Sequence, residues 1–156
     1  MAAPYRPSER ERCQYFYGQT GNPPLVARTS IDRWTQPVHL KEDMGLVHIP
    51  KKWVALPPEV YQSQWTSDVH SAIELTLSSC SWTSFLPVRV GVYHPVHESG
   101  RYLFSTILLV AVEPGSLRWE DGLAIALQCR EVLTYFGILG VEVEICESSD
   151  LSIPPS

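Results

Sequence analysis

The 156-residue chain contains no apolar run close to the ~18–20 residues that a transmembrane helix requires. Its first ten residues, MAAPYRPSER, also lack the apolar core of a signal peptide. We therefore expect a cytoplasmic protein without a membrane segment. Basic residues are few as well, since 12 Lys and Arg stand against 17 Asp and Glu, a formal net charge of −5. Because nucleic-acid binding needs clustered basic residues, we expect no nucleic acid among the partners.

Cysteine is sparse and irregularly spaced. The four cysteines form no CxxC pair: Cys13, Cys80, Cys129 and Cys146. This spacing does not support a zinc ribbon or a thioredoxin-type dithiol, and a disulfide framework is not expected in the cytosol. Cys80 and Cys129 fall on helical patterns and are predicted to be small core residues. No metal and no cofactor is predicted.

The motifs of the large enzyme classes are also missing. The chain has neither a GxGxxG fingerprint nor a GxxxxGK[ST] phosphate loop, and it contains no GxSxG or HExxH sequence. The residues alone therefore predict no enzyme class.

The clearest structural signal lies in residues 103–147. Residues 107–112 are apolar and β-branched, as in a buried strand, and a Pro-Gly turn ends them. A helix is predicted over residues 117–136, with Ser116 as its N-cap and Gly137 as its stop. Residues 141–145 then alternate valine and isoleucine with glutamate, the pattern of a strand with one buried face.

The preceding part of the chain completes an α+β pattern. Residues 66–79 predict a helix with one apolar face, capped by Thr66 or Ser67. Residues 87–93 and 101–112 predict two strands joined by a hairpin loop, and residues 25–49 supply one more strand. We expect a single α+β domain with a mixed or antiparallel sheet and two main helices on one face. The order fits a βαββαβ, ferredoxin-like split arrangement.

The two ends of the chain carry weaker signals. Residues 1–24 are predicted to form an irregular, aromatic arm that Tyr15 and its neighbours anchor to the body. The domain is expected to span residues 25–148, and residues 149–156 to form a disordered tail. Trp34 and Trp53 lie on extended chain beside the arm, where they either fill the core or form a binding surface.

Three groups of polar residues are candidates for chemistry. The turn from Glu113 to Ser116 precedes a helix and could hold an anion, although Glu113 would repel phosphate and a simple capped turn is the plainer interpretation. His94 and His97 have HxxH spacing, which could supply two metal ligands, but exposed loop histidines are common. Together, Glu113, Ser116, His94 and His97 would form a site only if the hairpin loop and the helix start converge.

The last strand carries glutamates whose plainer interpretation is a solvated face. Glu142, Glu144 and Glu147 line one side of it, and such charges discourage pairing at a sheet edge. Cys146 is predicted to point the same way. Because nearby negative charge raises a thiol pKa, Cys146 is expected to be a poor nucleophile.

Several ordered elements resemble an uncharacterised protein family of filamentous fungi. They are NPPLVARTS at residues 22–30, SWTS at 81–84, VRVG at 88–91, VEPGS at 112–116, WEDG at 119–122, Cys129, GI at 137–138 and VEVEICES at 141–148. The resemblance covers roughly residues 15–148. Cys146 stands where the family usually has arginine, and Leu139-Gly140 where an acidic residue is common. Longer members continue into a segment similar to a trypsin-like peptidase, which this chain lacks, so no peptidase residue is carried over.

The leading hypothesis is a non-catalytic intracellular module that binds a protein partner. The alternative is a small enzyme or ligand-binding domain built on the turn and the two histidines. A third possibility is a fragment of a longer protein that folds without its original context.

Overall fold

The computed structural model describes residues 3–19, 21–36, 38–41, 45–48, 50–94 and 101–153. The helices are α1 (Glu9–Gln14), α2 (Pro58–Gln64), α3 (Ser67–Thr76) and α4 (Trp119–Tyr135), and a 3₁₀ turn (Leu77–Ser79) follows α3. The strands are β1 (Leu25–Arg28), β2 (Val38–Lys41), β3 (Gly45–His48), β4 (Lys52–Ala55), β5 (Trp82–His94), β6 (Arg101–Val112) and β7 (Glu142–Glu147).

Five strands form a mixed sheet in the order β1-β7-β6-β5-β4, and β2 and β3 form a separate hairpin. The α+β class and the mixed sheet are therefore confirmed. The ferredoxin-like arrangement is not formed, because β6 and β7 pair directly in parallel, from Ile107↔Glu142 to Val112↔Glu147. A split arrangement would need a strand between them. Instead, β1 pairs antiparallel on the outer side of β7, so β7 is an interior strand.

Both long helices cover one face of the sheet, as predicted. Val69 and Ile73 of α3 and Cys129 and Leu133 of α4 are buried in one apolar cluster with strand residues such as Val110. The helix α4 ends where Gly137 adopts a φ of +78° and donates its backbone N–H to the Thr134 carbonyl, the left-handed ending that glycine favours. The start of α4 differs from the prediction, since it begins at Trp119 rather than beside Ser116.

The opposite face of the sheet is covered by the two ends of the chain. Tyr15 and Phe16 pack against β5 and β6 in a second apolar cluster, which confirms the predicted aromatic anchor. The arm is not wholly irregular, because Ser8 caps α1 by accepting the Glu11 backbone N–H. The prediction of a disordered tail also fails for residues 151–153, since Leu151 and Ile153 pack against the same cluster. Residues 154–156 lie outside the described residues.

Candidate functional site

A buried ionic cluster fastens the arm to β1. The Arg28 guanidinium donates from Nε to Glu11 Oε2 at 3.2 Å and from Nη1 to Asp32 Oδ1 at 2.9 Å. Its Nη2 donates to the Tyr5 hydroxyl at 2.8 Å, and that hydroxyl donates to Glu11 Oε1 at 2.8 Å. The side chains of Arg28 and Glu11 are almost wholly buried. Because a buried charge is tolerated only when it is paired and hydrogen-bonded, these contacts define the position of the arm.

Tyr15 links the arm to β7 in the middle of this cluster. Its hydroxyl donates to Glu144 Oε2 at 2.6 Å. The Arg28 Cζ lies 5.1 Å from the Tyr15 ring centroid, and Lys51 Nζ lies 3.1 Å from it. Burial, followed by the charge of Glu144, raises the Tyr15 pKa well above its ordinary value. Burial lowers the pKa of Lys51 to about 8.

A lysine of lowered pKa beside a tyrosine–carboxylate pair is the kind of set that supports acid–base chemistry. Here the arm covers it, leaving only 8% of Lys51 and 5% of Glu144 exposed. Glu144 Oε1 is buried and has no hydrogen-bond partner within the described ranges. With so little of these groups accessible to a substrate, their geometry supports a role in holding the arm.

The glutamates of β7 therefore do not form a solvated face, and that prediction is wrong. Glu144 is buried under the arm, whereas Glu147 lies on the opposite face of β7, where it is buried beside the Gly115 turn and Arg12, so the three glutamates do not share one side. Glu142 is half-buried, and its Oε2 pairs with Arg130 Nη1 at 3.2 Å. Cys146 is also buried. Burial, followed by the negative charge of Glu144, raises the pKa of its thiol to about 12. Burial is therefore a further reason, beside the nearby charge, why Cys146 is a poor nucleophile.

The turn after β6 is closed by contacts within the chain. The Ser116 hydroxyl donates to the Glu113 carbonyl at 2.6 Å, so it does not cap α4. The Gly115 backbone N–H donates to Glu147 Oε2, and Arg12 Nη2 donates to Glu147 Oε1 at 2.8 Å. An internal carboxylate therefore occupies the N–H that an external anion would need.

A cavity of about 540 Å³ opens beside this turn, between α1 and the start of α4. Three arginines and three glutamates contribute to its lining: Arg6, Arg12, Arg118, Glu9, Glu120 and Glu147. Arg6 pairs with Glu120 at 3.5 Å and Arg118 with Asp121 at 3.8 Å. The charges of the cavity are balanced by one another, so it presents no surplus charge of either sign.

The sheet register separates the predicted histidine site from this turn. In the β5–β6 hairpin, Trp82 pairs with Val112 at one end and His94 with Arg101 at the other. Glu113 follows Val112 directly, so His94 lies about twelve strand positions away, on the order of 40 Å at ~3.3 Å per residue. The two elements do not converge, and the alternative site fails on that ground. His97 lies outside the described residues, and within the described ranges no group of three or more potential ligands is arranged for a metal.

The two tryptophans proposed for a binding surface are placed against the core. Trp53 is 2% exposed, and its ring centroid lies 5.0 Å from that of Phe16. Trp34 is partly buried against the same cluster, and its backbone N–H donates to the Tyr5 hydroxyl. Of the two interpretations that the sequence left open, the structure favours core packing. The sequence signal for this core packing was the number of aromatic residues in and beside the arm, since so many aromatic side chains are seldom all exposed.

Sequence reasoning missed a feature of β6. This strand pairs with β7 only from Ile107 to Val112, so residues 101–106, here named the projecting segment, extend beyond β7. On it, Leu103 is 47% and Phe104 45% exposed. The signal was present in the unequal lengths of the predicted strands, 101–112 against 141–145.

More exposed apolar side chains lie at the same end of the sheet. Because β7 begins opposite Ile107, the loop that enters β7 is at the end where β6 projects. Tyr135 and Leu139, in and just after the last turn of α4, are 85% and 72% exposed. Large exposed apolar side chains gathered at one end of a sheet favour a contact with another molecule there.

No family model matches the chain, and no curated protein matches it. The resemblance to the fungal family therefore stays a prediction. Within the described ranges, none of the helices has both the length and the apolar character needed to cross a membrane.

Proposed function

We propose that the chain is a non-catalytic protein-interaction module that works inside the cell and binds an extended strand of a partner along the projecting segment. The observation that carries the proposal is the mismatch between a twelve-residue β6 and a six-residue β7. A strand edge that extends past its neighbour presents backbone N–H and C=O groups that another extended chain can pair with.

Side chains on both faces of the projecting segment support the same mode of binding. Successive strand residues point to opposite faces. Since Ile107 and Leu109 face the arm, and Leu108 and Val110 the helices, Leu103 lies on the arm side and Phe104 on the helix side. A partner strand would therefore meet an apolar side chain on each face, in addition to the backbone edge.

The remaining candidate chemistry favours a binding role over catalysis. The Lys51–Tyr15–Glu144 set is covered by the arm, and the turn at Gly115 is closed by Glu147. All four cysteines are free thiols, which accords with a reducing compartment.

The proposal is tested by photo-crosslinking in a native lysate. A photoreactive phenylalanine analogue replaces Ser105 on the projecting segment in one sample and Ser78 in a control. Ser78 is exposed and lies at the other end of the sheet, because the turn that contains it leads into Trp82, opposite Val112. We expect a specific protein adduct at Ser105 and none at Ser78.

A matched pair of leucine variants then identifies the contact. Leu103→Lys should reduce the adduct at least about tenfold, the loss expected from about 1.4 kcal/mol of binding free energy. Leu75→Lys, an exposed leucine of α3, should leave it unchanged. Equal adducts at both positions, or an adduct insensitive to Leu103→Lys, would refute the proposal. Tryptophan fluorescence establishes that both variants remain folded.

A further inference from the structure

The three strands at the projecting side of the sheet are free of acidic residues. Strands β4, β5 and β6 together contain Lys52, Arg89 and Arg101 and neither Asp nor Glu. The whole chain nevertheless carries a net charge of −5. The acidic residues are concentrated elsewhere, three of them in β7 alone.

Arg89 places one of these charges beside the projecting segment. It pairs in the sheet with Thr106, and its Cζ lies 5.3 Å from the Phe104 ring centroid, on the helix side. Its Nε is buried and makes no hydrogen bond within the described ranges. Among the described residues no carboxylate forms a salt bridge with Arg89, in contrast to Arg28 and Arg130.

The nearby acidic residue of β7 does not balance this charge. Glu142 begins β7 opposite Ile107, one position beyond the projecting segment. Its Oε2 is held by Arg130 and accepts a hydrogen bond from the Thr29 hydroxyl. Among the described residues, the positive charge of Arg89, one strand in from the open edge of β6, is therefore not balanced by a carboxylate.

We infer that the strand added to β6 is an acidic one, alternating apolar side chains with Asp or Glu. This inference rests on the proposed function. Because side chains alternate across a strand, every second residue of the ligand would face Arg89 and Phe104, and the others would face Leu103. Complementary charge of this kind raises association rates and selects among partners.

The test measures fluorescence polarisation of labelled peptides against the full chain. Three peptides of about eight residues alternate valine with glutamate, glutamine or lysine, which keeps length and valine content matched. We expect the glutamate peptide to bind at least about tenfold more tightly than the glutamine peptide, and the lysine peptide most weakly. Raising NaCl from about 0.05 to about 0.5 M should remove most of that preference.

Arg89→Gln should reduce the preference for glutamate over glutamine to about threefold or less, while binding of the glutamine peptide changes little. Arg89→Lys, which keeps the positive charge, is the matched control and should retain most of the preference, and circular dichroism checks both variants. If Arg89→Gln fails to fold, the loss of the preference at high salt tests the charge in the wild-type chain. Equal affinity for the glutamate and glutamine peptides, a preference unchanged in folded Arg89→Gln, or a preference insensitive to salt would overturn the inference and leave strand addition standing. Failure of all three peptides to bind would overturn strand addition itself.

Discussion

Replacing Lys51 with methionine should change how stability depends on pH. Burial lowers the Lys51 pKa from 10.5 to about 8 in the folded chain. The unfolded chain therefore binds more protons than the folded one between about pH 8 and 10.5, and stability rises with pH across that window. At about 1.4 kcal/mol per pKa unit, the full lowering corresponds to about 3 kcal/mol.

The free energy of unfolding of the wild-type protein should therefore increase relative to that of Lys51→Met as pH rises. Below about pH 8 the folded wild type contains a charged, buried amine, whose contact with the Tyr15 ring offsets about 1–2 kcal/mol of the cost. We expect the variant to equal or exceed the wild type in stability at about pH 7. Between about pH 7 and pH 9.5 the stability of the wild type, measured relative to the variant, should increase by about 2 kcal/mol.

Urea unfolding followed by tryptophan fluorescence at several pH values measures this difference. Tyr15 and Cys146 have raised pKa values and contribute stability that is lost as pH rises through the alkaline range. Both remain in the variant, so their contributions largely cancel in the difference. Leu75→Met, at an exposed and non-titrating position of α3, is the control for pH effects common to all variants. A difference between wild type and Lys51→Met that stays constant with pH would refute the assignment of a buried, neutralised amine.

Two further substitutions test the two faces of the sheet, each by urea unfolding at neutral pH. Tyr15→Phe should cost about 1–3 kcal/mol, because it removes the donor to Glu144 and leaves a buried carboxylate oxygen unsatisfied; a loss under about 0.5 kcal/mol would count against the buried hydrogen bond. Leu133→Ala should cost about 2–5 kcal/mol by opening a cavity under α4, whereas Leu75→Ala, at an exposed position, should be nearly neutral. Equal losses for the two leucine variants would contradict the helix-side core.

Local patterns in the sequence predicted what depends on local structure. The apolar run ending at Val112, the periodicity of α4 and the glycine after it are read from neighbouring residues, and the structure confirms each of these elements. The first turn of α4 was misplaced because Ser116 is a good cap in sequence but bonds to the Glu113 carbonyl instead. Competition between a turn and a cap for one hydroxyl is not decided by residue type.

Contacts between segments that are distant in sequence could not be predicted from local patterns. The Tyr15 hydroxyl meets Glu144 across 129 positions of sequence, and this contact turns an apparently solvated strand face into a buried one. The same covering by the arm places Trp53 in the core rather than on a binding surface. The candidate site formed by the histidines and the Glu113–Ser116 turn could be excluded only from the strand register, because the pairing of Trp82 with Val112 shows how far His94 lies from the turn.

The charged residues in the covered part of the sheet and those beside the projecting segment differ in what they contact, and this difference supports the proposed function. Under the arm, Arg28 and Tyr15 are bonded to Glu11 and Glu144, so the charged groups are matched mainly within the molecule. Beside the projecting segment, Arg89 has no matching carboxylate within the described ranges. Since a partly buried cation that no described carboxylate pairs with gains more from a ligand than a paired one does, this difference supports the proposal of an acidic strand at the β6 edge.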